Sequence, residues 1–101
     1  MLVNDADLKG LLHYMDKESD YVFLLSLKNG RDDYELVITM DRDTNLKIVK
    51  GMFDKIIKKL LPDNTHIHCR RIESNFNYLI YEFDNDQLIR MITLLQLKGQ
   101  I

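Results

Sequence analysis

The chain has 101 residues, a formal net charge of -2, 46% apolar and 30% charged types, and a single cysteine. These proportions fit one globular domain with a modest core, and they exclude a disordered tail, a collagen-like repeat and a second domain of ordinary size. No apolar run approaches the roughly 18 residues of a membrane span, Met1-Leu2-Val3 leads into Asn4-Asp5-Ala6-Asp7 without a signal-peptide pattern, and Cys69 alone allows no internal disulfide, so a cytoplasmic setting without a membrane partner is expected.

Taken in order, residues 5–17 place Leu8, Leu11, Leu12 and Met15 at helical spacing behind Asn4 or Asp5 as the cap, which predicts a first helix. Residues 21–28 and 34–40 read as strands around Asn29-Gly30, whose tolerance of positive φ suits a two-residue hairpin turn. That turn predicts Leu25 opposite Tyr34, Phe23 opposite Leu36 and Tyr21 opposite Ile38, with Ser26 against Asp33 and Lys28 against Arg31 on the other side. Val49, Met52, Phe53, Ile56, Ile57 and Leu60 mark a second and longest helix that stops before Pro62.

Residues 65–72 and 76–83 predict a second strand pair. Ile67 and Cys69 share a face with Leu79, Tyr81 and Phe83 if the loop is odd in length, and Glu73-Ser74-Asn75 is the expected loop. The opposite face then sets His66 beside Glu82, His68 beside Ile80 and Arg70 beside Tyr78. Asp84 or Asn85 caps a last helix that turns Leu88, Ile89, Ile92, Leu95 and Met91 inward. The expected fold class is α+β, in the order α-β-β-α-β-β-α, with two hairpins in a mostly antiparallel sheet, helices on one face and an open saddle on the other. An internal duplication is visible in outline. Lys9-Gly10-Leu11-Leu12 matches Lys50-Gly51-Met52-Phe53, and Leu36-Val37-Ile38-Thr39-Met40-Asp41 matches Leu79-Ile80-Tyr81-Glu82-Phe83-Asp84.

Charge is unevenly spread. The first 43 residues hold five basic and ten acidic groups, the remainder nine and six, and the basic excess gathers in Lys47, Lys50, Lys55, Lys58 and Lys59 against Asp54 alone. That lysine run suits either an anionic partner or, more simply, a solvated helix face. Enzyme readings find no support: there is no phosphate-binding glycine loop, no nucleophile elbow and no zinc-protease helix motif. His66 and His68 with Glu82 form an incomplete metal set, better explained as a surface His–Glu pairing, and strand alternation turns Cys69 toward the core as a structural thiol. No cofactor or metal is expected.

The expected open face presents Ser26, Lys28, His68, Arg70, Tyr78 and Ile80, with Arg31 at a hairpin tip. Hydrogen-bonding cations beside an aromatic suit a nucleic-acid reader. Val22, Leu24, Val37, Ile72 and Phe76 on the same face suit a host protein or a homodimer, and Glu35 and Glu82 oppose a polyanion. By residue type the two readings stand level.

The order of elements and several short matches resemble the C-terminal DNA-binding double-wing domain family of MotA, the middle-promoter activators of T-even phages. The matches are Ser19-Asp20-Tyr21-Val22, Asn29-Gly30, Tyr34-Glu35-Leu36, Asn45-Leu46-Lys47-Ile48, Met52, His68-Cys69-Arg70, Asn75, Asn77, and the spacing through Ile92 and Leu95. The resemblance implies a phage protein in an infected bacterial cytoplasm whose saddle lies on double-stranded DNA to regulate transcription. Lys28 and Arg31 would meet phosphates, Arg70 a phosphate or base edge, and Tyr78 a sugar or base, with His68 beside them. The N-terminal activation domain of that family has no counterpart here, and the acidic first half departs from a duplex binder.

Overall fold

Helices and strands follow one another as α1 (Asp5–Met15), β1 (Val22–Leu27), β2 (Asp33–Met40), α2 (Leu46–Leu60), β3 (His68–Glu73), β4 (Asn77–Asp84) and α3 (Asn85–Leu97) in the computed structural model. It describes residues 4–16, 21–28, 33–62 and 67–101. The expected α-β-β-α-β-β-α order is the one observed.

Each helix start is fixed by a side chain that accepts an otherwise unpaired N–H. Asn4 caps α1 through Asp7 N at 2.8 Å, and Asn45 caps α2 through Lys47 N and Ile48 N. Asp84 and Gln87 form a reciprocal capping box at α3. The cap at Asn45 starts α2 at Leu46, three residues ahead of the first apolar position that the sequence pattern marked. At the other end of α3, Gly99 takes φ 69°, and Gln100 N donates to Leu95 O, which closes the helix in a left-handed turn that a side chain would strain.

The four strands form one antiparallel sheet in the order β1-β2-β4-β3. Leu36, Ile38 and Met40 of β2 and Leu79, Tyr81 and Phe83 of β4 join Leu11 and Met15 of α1, Val49, Phe53 and Ile57 of α2, and Leu88, Met91, Ile92 and Leu95 of α3 in one core. All three helices therefore cover the same face. Phe53 sits edge-on to both Tyr21 and Phe23, at centroid separations of 6.1 and 5.7 Å, which ties α2 to the outer strand. Of the last helix's expected inward set, Ile89 is only half-buried.

Both hairpins differ from expectation by two residues in register. In the first, Phe23 pairs with Ile38, Leu25 with Leu36 and Ser26 with Glu35, and Lys28 N donates to Asp33 O at 2.8 Å. Four residues, 29–32, join the strands where two were expected; Asn29, Gly30 and Arg31 lie outside the described residues. In the second, His68 pairs with Glu82, Arg70 with Ile80 and Ile72 with Tyr78, so the three-residue loop is Ser74-Asn75-Phe76 rather than Glu73-Ser74-Asn75. The expected neighbours, Ile80 for His68 and Tyr78 for Arg70, are corrected accordingly; His66 lies outside the described residues. Side chains repeat every two residues along a strand, so a slip of two keeps every residue on its expected face, and face parity alone cannot detect it.

The central ladder joins the matched strand segments. Val37 and Ile80, counterparts in the internal match, stand directly opposite each other, flanked by Leu36 opposite Tyr81 and Ile38 opposite Leu79. A two-fold relation between the αββ halves would produce this pairing.

Candidate functional site

No described helix covers the opposite face of the sheet, and the registers lay it out as rows running from β1 to β3. One row is Val22, Thr39, Tyr78, Ile72. The next is Leu24, Val37, Ile80, Arg70. The third is Ser26, Glu35, Glu82, His68, and Lys28 follows at the end of β1. The first two rows are predominantly apolar. Val22 and Leu24 are 66% and 60% exposed, Ile72 and Phe76 are also exposed, and Ile80 at the centre is buried between Val37 and Arg70.

The third row contains an electrostatic conflict and its resolution. Glu35 and Glu82 are directly opposite on the two central strands, an arrangement of like charges that destabilises a sheet unless cations intervene. Lys28 arrives from one edge strand, with Nζ 3.1 Å from Glu82 Oε1 and 3.7 Å from Glu35 Oε1. Arg70 arrives from the other, with Nη2 3.2 Å from Glu35 Oε1 and Nε 3.6 Å from Glu82 Oε1. The hydrogen bond from Lys28 is the largest influence on Glu82 and holds its carboxyl below the ordinary glutamate range; partial burial opposes it, and Lys28, Arg70 and His68 add charge attraction.

Four of the five residues expected at the site lie on the described part of this face. Lys28 and Arg70 meet through the two carboxylates, His68 is exposed opposite Glu82, and Tyr78 is half-exposed at the far end beside Ile72. Arg31 lies outside the described residues. Lys28, expected at a phosphate, and Arg70, expected at a phosphate or base edge, are thus ion-paired, and the described part of the face carries no net charge from its lysine, arginine and glutamates.

On the helix side, Cys69 stands opposite Tyr81 and is half-buried, less enclosed than the structural thiol expected, because β3 is an edge strand. Burial pushes its thiol upward, which disfavours a thiolate nucleophile. Tyr81 is fully buried and its hydroxyl donates to Asp54 Oδ1 at 2.7 Å, while Lys50 Nζ holds Asp54 Oδ2 at 2.7 Å. Lys50 is therefore engaged within the lysine run, and Lys47, Lys55, Lys58 and Lys59 form the exposed part. Among the described residues no three His, Cys, Asp or Glu side chains gather as a metal site, and no helix is long and apolar enough to cross a membrane.

A second cationic feature was not visible in the sequence. Arg42 from the β2–α2 loop, Lys47 from the first turn of α2 and Arg71 from β3 line an open cleft of about 680 Å³, together with Thr44, Asn45, Glu73, Ser74, Asn75 and Asn77. These cations come from three separate elements, and only the fold brings them together.

Comparison of the chain with known protein families, with curated proteins and with solved structures finds no match.

Proposed function

We propose that this chain is a non-enzymatic DNA-binding protein that lays its open sheet face on a duplex and acts in transcription control, as the resemblance to the MotA double-wing family suggests. The observation that carries the reading is the setting of Arg70. Its guanidinium is a little more than half exposed and is aimed by two carboxylates, with N–H donors left over for a base edge or phosphate. Tyr78 and the Val22–Leu24 strip supply surfaces for sugars and thymine methyl groups. Glu35 and Glu82 cancel much of the nonspecific attraction, so affinity rests on hydrogen bonding and shape more than on net charge.

The test is a duplex titration at several salt concentrations with Arg70→Ala and Lys28→Ala. Each phosphate contact contributes about -0.9 to the slope of log K against log salt, so two contacts give about -2. Weaker binding in both variants supports the reading, and unchanged binding overturns it.

The apolar rows favour a second reading, a host protein or a second copy of this chain docked on the same face. Val22 and Leu24, on the same face of an edge strand and both exposed, are the observation behind it. A salt-insensitive complex, or a doubled mass in light scattering, selects this reading over DNA.

A further inference from the structure

We infer that the cleft between α2 and β3 is a phosphate-binding site, separate from the open sheet face and independent of the DNA reading. Arg42, Lys47 and Arg71 line it, and among the described residues none of the three side chains makes a hydrogen bond or ion pair. This contrasts with the other face, where Lys28 and Arg70 are committed to carboxylates. Arg71 stands opposite the buried Leu79, which places it on the helix side of the sheet, away from Arg70. Among the described residues, Glu73 is the one carboxylate on the cleft wall, against three cations.

The walls are also fixed before any ligand arrives. Asn77, 6% exposed, donates through Nδ2 to Arg42 O at 3.1 Å and Thr44 O at 3.0 Å, anchoring the loop that carries Arg42 to β4. Asn45 already accepts from the N–H groups of Lys47 and Ile48, so the end of α2 is occupied and the cations are the recognition groups. Two arginines and a lysine lining one opening offer donors that match the several oxygens of a phosphate better than a single carboxylate. The phosphate can belong to a soluble phosphorylated compound or to a nucleic-acid backbone, and the chemistry of the cleft is the same for both.

The test is a titration of the full chain with inorganic pyrophosphate at low ionic strength, followed by amide NMR. Saturable shifts at Arg42, Lys47, Arg71 and Asn75 with a dissociation constant on the order of millimolar or tighter are expected. Arg71→Ala and a combined Arg42→Gln, Lys47→Gln variant should each weaken binding about tenfold with the melting temperature retained, and Glu73→Gln should strengthen it. Arg90→Ala, on α3 and outside the cleft lining, should leave pyrophosphate binding unchanged. Competition by a DNA duplex identifies the backbone as the source of phosphate; pyrophosphate binding without competition identifies a soluble ligand. Absence of saturable shifts at these residues, or equal affinity in the wild type and the cleft variants, overturns the inference.

Discussion

Arg70 on the edge strand β3 reaches over β4 to Glu35 on β2, bringing Nη2 to 3.2 Å from Oε1. The contact spans two strand spacings because Glu35 and Glu82 lie opposite each other and both require a cation. Arg70→Ala is expected to lower stability by no more than about 1 kcal/mol, the scale of an exposed ion pair, since Lys28 still serves both carboxylates. Urea denaturation of the variant beside the wild type measures this, and the same variant reports on duplex affinity.

Removing a carboxylate separates the two readings of the face. Glu82→Gln leaves Lys28 and Arg70 with Glu35 alone and should strengthen duplex binding several-fold, on the order of 1 kcal/mol for one charge near the surface, with a steeper salt dependence. A protein partner that uses the apolar rows should be indifferent to the change. Fluorescence anisotropy with labelled duplex is sufficient to decide.

The same carboxylate gives an acid-side prediction. Glu82 titrates below its ordinary range in the folded chain, so its contribution is present above the unfolded value and is lost as pH falls through the folded one. Urea midpoints taken from about pH 6 down to about pH 3 should fall less steeply for Glu82→Gln than for the wild type.

Tyr81 makes the opposite alkaline prediction. Burial, followed by the hydrogen bond to Asp54, pushes its ionisation far above the usual tyrosine value, so stability is lost as pH rises past that usual value. Spectrophotometric titration of the native protein should show a tyrosine step that appears only when the chain unfolds, and Tyr81→Phe should abolish that late step. The hydroxyl loss itself should cost about 1 kcal/mol, because Lys50 continues to hold Asp54.

Asn77 is the joint between the β2–α2 loop and the sheet. Asn77→Ala leaves Arg42 O and Thr44 O without their side-chain donor and should cost about 1–3 kcal/mol. Thermal denaturation measures the loss, and weaker pyrophosphate binding in the variant would tie the anchor to the cleft.

The sequence by itself determined the order of elements and the face of almost every strand residue, and it narrowed two helix caps to Asn4 or Asp5 and to Asp84 or Asn85, of which the structure selects Asn4 and Asp84. Each depends on local periodicity or on a side chain within three positions of its partner. It placed Lys28, Arg70, Tyr78 and His68 on one uncovered face for the same reason. Tertiary structure decided the two-residue register shifts, because alternation is blind to even slips and the loop lengths had to be settled by packing. Only the β2–β4 ladder put Glu35 opposite Glu82, where Lys28 and Arg70 from the two edge strands are committed to the carboxylates. Only the packing of α2 against the sheet brought Arg71 of β3 to one opening with Arg42 and Lys47, which lie much earlier in the chain.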